Sequence, residues 1–93
     1  MVAGKKFAVS RNVSFSRLGY TTVLLDMATD SYLGLDEMGS RIWASIVEHG
    51  DPEPAVRQLL EEFNVEEPQL RTDIDNFLVD LQSRGLLGIV CDP

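Results

Sequence analysis

Apolar and polar residues change their period once along this chain, at Asp36. Before it, Phe7, Val9, Val13 and Phe15 share one parity, and Ala8, Ser10, Asn12 and Ser14 the other. A period of two marks a half-buried strand. Arg11 falls on the apolar parity, so a bulge or register change is expected there. Leu18-Gly19-Tyr20 carries a turn signal, and Thr21 to Met27 is a β-branched, apolar second strand. Ala28-Thr29-Asp30 reads as a tight connection, since Asp tolerates the left-handed backbone that such turns need. Ser31-Tyr32-Leu33-Gly34-Leu35 is a short third strand. Short loops favour antiparallel neighbours, so a three-stranded meander is expected.

From Asp36 onward the period is that of helices. Asp36 is a good N-cap, and Met38, Ile42, Ile46 and Val47 form one stripe with Trp43 beside it. His49-Gly50 closes this first helix. Asp51 can cap a second helix with Pro52 at its first position, and Val56, Leu59, Leu60 and Phe63 make its apolar face. Pro68 opens a third, where Leu70, Ile74, Phe77, Leu78 and Leu81 recur at spacings of three and four. Arg84-Gly85 ends it, and Leu86 to Cys91 reads as a short tail strand. The expected architecture is α+β: a three-stranded antiparallel sheet followed by three helices, in a winged helix-turn-helix-like arrangement. Neither layer can bury its apolar face alone, so the helices must cover one face of the sheet.

Length and composition narrow this picture. Ninety-three residues allow one domain, spanning 1–93, and 44% apolar residues suffice for a small core. The net charge of −7 is unevenly placed. Lys5, Lys6, Arg11 and Arg17 lie in the first twenty residues, which hold no acid. All fifteen acids lie beyond, against Arg41, Arg57, Arg71 and Arg84. That acidity weighs against nucleic acid, because phosphate contacts need clustered Lys and Arg. It favours a neutral or basic protein or peptide.

Candidate chemistry is sparse. Cys91 is the only cysteine and His49 the only histidine, so no disulfide framework, zinc set or catalytic triad can be assembled. Acid pairs such as Asp36-Glu37 and Glu66-Glu67 sit at helix starts, where carboxylates complement the dipole. Gly34 and Gly39 lack phosphate-loop spacing. No enzymatic activity and no cofactor or metal are expected. No signal peptide or membrane span is read, and a lone thiol suits a reducing compartment, so a cytoplasmic location is expected.

A sheet edge is the better physical candidate for function. In a meander the third strand lies at an edge, and Ser31–Leu35 carries no Lys or Pro to protect it. Such an edge can accept an extended peptide as a further strand; equally, the chain's own tail or a helix can cover it. The third helix can supply a wall, because Phe77 and Leu78 point about 100° apart, so one can face the core and the other a groove. Asp73, Asn76 and Asp80 would rim that groove or simply face solvent. Trp43 reads as a core anchor whose indole N–H finds a backbone partner.

Tyr32-Leu33-Gly34-Leu35-Asp36-Glu37-Met38-Gly39-Ser40-Arg41-Ile42-Trp43, followed by an acidic helix and then Phe77-Leu78-x-x-Leu81-x-x-x-Gly85-Leu86-Leu87, resembles a PqqD-like domain, the RiPP recognition element of peptide natural-product biosynthesis. The likeness runs over about residues 7–87. Asp30, Asp36 and Ser40 stand where the family often has Gly, Asn and Ala, all mild exchanges that leave the subfamily open. The resemblance implies that the domain binds the leader of a ribosomally made precursor as an added strand against the third strand and third helix. It looks most like the recognition half of a split lasso-peptide B protein. That implies a separate leader peptidase and an ATP-dependent cyclase as partners, and a leader read through a Tyr-x-x-Pro type motif whose tyrosine and proline enter an apolar pocket. Carried over by position, the leader-binding residues are Ser31, Tyr32, Leu33, Gly34 and Leu35 on the strand, with Leu70, Asp73, Ile74, Phe77 and Asp80 on the helix. The acidic helices imply a basic leader. The alternatives are a PqqD-like peptide chaperone of another RiPP or quinone-cofactor pathway, and a winged-helix DNA-binding regulator.

Overall fold

A computed structural model describes residues 6–90. The residues on either side, Cys91 and Lys5 among them, lie outside the described region. The elements in chain order are β1 (Lys6–Val9), β2 (Val13–Leu18), β3 (Thr21–Asp26), β4 (Ser31–Leu35), α1 (Glu37–His49), α2 (Glu53–Glu62), α3 (Glu67–Ser83) and β5 (Leu87–Val90). The α+β arrangement expected from the sequence is present: an antiparallel sheet ordered β2-β3-β4, followed by three helices.

The expected first strand is in fact two. Arg11 sits in a turn where Val13 N–H donates to Ser10 O (3.2 Å), and the Ser10 hydroxyl donates to Gly85 O (2.7 Å). The chain thus leaves β1 and enters β2 in a different sheet. β1 pairs antiparallel with β5, Phe7 opposite Ile89 and Val9 opposite Leu87, so the tail strand is real and forms a two-stranded ribbon. Phe7 is buried there, and its N–H donates to Gly50 O at the end of α1 (2.7 Å).

The β2–β3 turn holds Gly19 at φ +65°, and the β3–β4 turn holds Asp30 at φ +56°, the left-handed conformation expected of that connection. In the β2-β3-β4 sheet the rows Val13–Asp26–Ser31, Phe15–Leu24–Leu33 and Arg17–Thr22–Leu35 share one parity. Thr22, Leu24, Asp26 and Leu35 are buried, so this parity faces the helices. The other parity, with Ser14, Ser16, Val23, Leu25, Tyr32 and Gly34, forms the outer face.

Helix α1 starts as expected, the Asp36 carboxylate accepting from Gly39 N–H (2.8 Å), and ends at Gly50 in the left-handed region, φ +70°. Its buried stripe includes Gly39, Ile42, Trp43 and Ile46; Trp43 is the core anchor expected of it, whereas Val47, expected in the stripe, is 46% exposed. Spacings of three and four centre the stripe between Ile42 and Trp43, and Val47 lies beyond its rim. The Trp43 indole N–H has no hydrogen-bond partner among the described residues, contrary to expectation. The ring instead meets Phe15 edge-on, centroids 5.6 Å apart.

Helix α2 begins one residue later than expected, with Pro52 at the cap, and Asp51 still accepts from Glu53 N–H (2.9 Å). Phe63 ends that helix about one-third exposed, under the Arg41 guanidinium 5.9 Å from its centroid, and so lies at the margin of the apolar face rather than in the core. Leu59 of α2, Leu70, Ile74, Leu78 and Leu81 of α3 and Leu86 complete the core with Leu24, Leu35 and the stripe of α1.

Arginines tie the helices together. Arg71 on α3 donates to both carboxylate oxygens of Glu53 on α2 (2.7 and 3.1 Å) and to Glu67 (2.8 Å). The Arg71 hydrogen bonds hold the Glu53 carboxyl below its ordinary range, against a smaller opposing push from burial. A depressed carboxyl stabilises the fold above the unfolded glutamate pKa of about 4.3, and that stability is lost as pH falls through the lower folded value. Glu53→Gln should therefore cost about 1 kcal/mol at pH 7 and lose less than the wild type on going to pH 3. Urea unfolding at the two pH values measures this; equal losses in both proteins would assign the acid sensitivity elsewhere.

Candidate functional site

The site is the unpaired edge of β4 and what surrounds it. β4 pairs with β3 alone, and β5, the strand that could have covered the other side, is taken by β1. Among the described residues the outer edge of β4 therefore has no strand partner. Its length is five residues, and it has no Lys, Pro or bulge.

Two cavities flank this edge. The first, about 220 Å³, lies at the start of β4, between Leu24, Leu33 and Leu86, with Asp26, Thr29, Ser31, Tyr32 and Arg84 around its mouth. The second, about 250 Å³, lies past the end of β4. Met38, Gly39 and Ile42 of α1, Leu59 of α2, and Leu70, Ile74 and Phe77 of α3 line it, with Asp36 and Asp73 as its polar residues.

Local structure explains how each is built. At the first cavity Asp26 is 8% exposed. It accepts from the Asn12 side-chain amide and from Ala28 N–H (3.0 Å), while Met27 N–H donates to Asn12 O (2.7 Å). These bonds tie the β1–β2 turn to the β3–β4 turn and so position the start of β4. The Asn12 hydrogen bond is the main cause holding the Asp26 carboxyl below its ordinary range, so it stands there as an anion. At the second cavity the approach of α1 to α3 depends on Gly39. A Cβ there would meet Asp36 Oδ1 at 3.2 Å and the Phe77 ring at 3.4 Å, so a side chain would press on both the helix cap and the cavity wall.

The residues singled out from the sequence divide between the two cavities. Ser31, Tyr32 and Leu33 border the first; Leu70, Asp73, Ile74 and Phe77 line the second. Leu35 is buried under the sheet, and Gly34 sits on the outer face. Tyr32 has outer-face parity and is 73% exposed, so its side chain belongs to the sheet surface more than to the groove. Asp80 borders neither cavity; it is paired with Arg84 (3.1 Å). Leu78, adjacent to Phe77, is fully buried, as the 100° offset between neighbours requires.

Several lining residues escaped sequence reasoning. Asp26 and Arg84 meet only through tertiary packing, having no local signal. Asp36 and Gly39 were legible as a cap and a small residue but carried no sign of bordering a groove. Among the described residues the second cavity is lined by two carboxylates and no cation, and the first by one charge of each sign. No cluster of metal-ligating side chains occurs among the described residues, and no described helix is long and apolar enough to cross a membrane.

Similarity to known proteins was consistent with this geometry. The family model for coenzyme PQQ synthesis protein D (PqqD) matches residues 21–87. No curated protein matches. A solved chain described as TbiB1 in complex with the TbiA(beta) leader peptide superposes with a TM-score of 0.80 at 34% identity, covering 90% of this chain and 98% of its own. A second, described as lasso peptide synthetase B1 complexed with the leader peptide, has the same TM-score at 23% identity, covers 89% of this chain and 98% of its own, and supports the fold alone. With the family model spanning β3 to the start of β5, and TbiB1 alike over nearly its full length, the chain belongs to the PqqD family.

Proposed function

We propose that this protein binds the leader region of a ribosomally synthesised precursor peptide, most simply of a lasso peptide, and presents it to a separate leader peptidase and cyclase. The observation that carries this reading is the unpaired edge of β4 between two cavities. Backbone pairing along the edge supplies affinity without regard to sequence, and the cavities supply specificity. The leader adds as a strand beside β4 and against α3. Ordering a disordered peptide costs entropy, which the backbone bonds and apolar anchors must offset. Tethering the leader then raises the effective concentration of the attached core peptide at the processing enzymes. The role is physical, with no turnover of its own.

Electrostatics support a basic leader, since Asp36 and Asp73 line the second cavity with no cation beside them among the described lining residues. A Tyr-x-x-Pro motif meets a geometric condition. In a regular strand residues three apart point to opposite faces, so both side chains reach the groove only where the peptide leaves strand geometry between them. The family match equally fits a peptide chaperone of a quinone-cofactor pathway, but the 34% identity with TbiB1 favours the lasso reading. For a winged-helix regulator α3 offers only Arg71, already tied to Glu53 and Glu67.

The test is amide exchange with and without the TbiA(beta) leader peptide, using a scrambled peptide as control. The β4 amides that point away from β3 should become protected on adding the leader and stay unprotected with the scrambled sequence. Protection confined to α1 and α2, or none at saturating peptide, would overturn strand addition.

A further inference from the structure

Gly34 lies inside the edge strand with no reason visible in its own chain. It does not adopt positive φ, and a Cβ there would meet no atom within 4 Å. Neither turn geometry nor close packing therefore asks for glycine, although glycine weakens a strand and often marks where another chain approaches. It sits on the outer face, opposite Val23 on β3 and two residues after Tyr32. The outer parity of this sheet carries no charged residue: its members include Ser14, Ser16, Val23, Leu25 and Tyr32. The missing side chain leaves an uncharged notch, bordered by Val23 and Tyr32, at the β4 edge, which among the described residues is open to a further strand.

We propose that this notch is a subsite for a large aromatic side chain of the bound peptide, on the face opposite the two cavities. The inference rests on strand addition at β4 and goes beyond it. A residue of the added strand lying across from Gly34 points to the outer face, because side chains alternate along a strand. Glycine lets an aromatic ring on the neighbouring strand fold over the bare backbone, a pairing that compensates an edge glycine. Val23 and Tyr32 give that ring an aliphatic and an aromatic wall, both suited to cross-strand pairing. The bound segment would then be read on both faces: by the cavities on one side, and by the notch on the other.

The test uses a phage-displayed library of random peptides, selected separately against the wild-type protein and Gly34→Val. Because the added side chain meets no atom of this chain, Gly34→Val should melt no lower than the wild type; Gly34→Ala serves in its place if the valine variant fails to fold. The wild type should select peptides with Phe, Tyr or Trp at one position of the parity opposite the groove anchors. Gly34→Val should keep the groove anchors and lose that aromatic. A synthetic wild-type-selected peptide should bind Gly34→Val about tenfold more weakly, the scale of filling a side-chain pocket. Its aromatic-to-alanine analogue should bind both proteins alike. An aromatic preference that survives in Gly34→Val, or unchanged affinity of the synthetic peptide, would overturn the notch and leave the groove standing. If neither protein selects any peptide, the strand-addition reading fails and the subsite with it.

Discussion

A Phe77→Ala variant should fold and bind a leader peptide about tenfold to a hundredfold more weakly, a loss of about 1.4–2.7 kcal/mol. Phe77 is half-buried, forms a wall of the second cavity and lies against the helix start at Gly39. Truncating it removes the surface an apolar anchor would meet, while Leu70, Ile74 and Leu78 keep α3 attached to the core. The neighbouring residue gives the contrast. Leu78→Ala should cost about 2–5 kcal/mol of stability, because Leu78 is fully buried, yet leave the affinity of each folded molecule nearly intact. On the strand side, Leu33→Asp places a carboxylate in the cavity already holding Asp26 and should weaken binding at least as much as Phe77→Ala. Fluorescence anisotropy of a labelled TbiA(beta) leader peptide, with circular dichroism for fold, reads all three. Unchanged affinity for both Phe77→Ala and Leu33→Asp would refute a groove between β4 and α3.

Trp43→Ala should come close to unfolding the protein. Removing a fully buried Trp costs about 3–5 kcal/mol, and small domains have only about 5–15 kcal/mol in total. Trp43→Phe should be much milder. The indole N–H is buried without a partner among the described residues, so the wild type carries a desolvation cost of about 1–3 kcal/mol that phenylalanine does not. That relief offsets part of the smaller ring's lost packing against Phe15. Urea unfolding of the two variants measures the difference. A Trp43→Phe loss equal to that of Trp43→Ala would mean that the N–H is satisfied in solution, by an ordered water for instance.

Much of the fold was legible because its signals are local. The caps at Asp36 and Gly50, the left-handed Asp30, Val56 and Leu59 in α2 and the apolar face of α3 follow from side-chain hydrogen bonding and from helical period. In α1 only Val47 was misplaced: it follows Ile46 by one residue, about 100° around the helix, which carries it out of the buried stripe. The break at Arg11 was visible as a disturbed alternation. Its consequence was not: β1 departs to pair with a strand some eighty residues away in sequence, and such pairing leaves no local mark.

The candidate site shows the same division. Ser31–Leu35 was identifiable from its composition as a poorly protected strand, and the offset of Phe77 from Leu78 as a helix with two faces. Whether the strand's edge was open depended on where the tail went. By pairing with β1, β5 leaves β4 free, and the sequence offered both outcomes. The placement of Asp26, Arg84 and Gly39 at the cavities likewise arose from contacts between elements distant along the chain. What the sequence determined by itself was the three helices, the β3 and β4 strands, the caps of α1 and the acidic character of the helices, because these depend on neighbours a few residues apart. The tertiary structure alone decided which edge stayed open, where the two cavities formed and which side of β4 each residue faces, because these depend on pairing and packing across the whole chain.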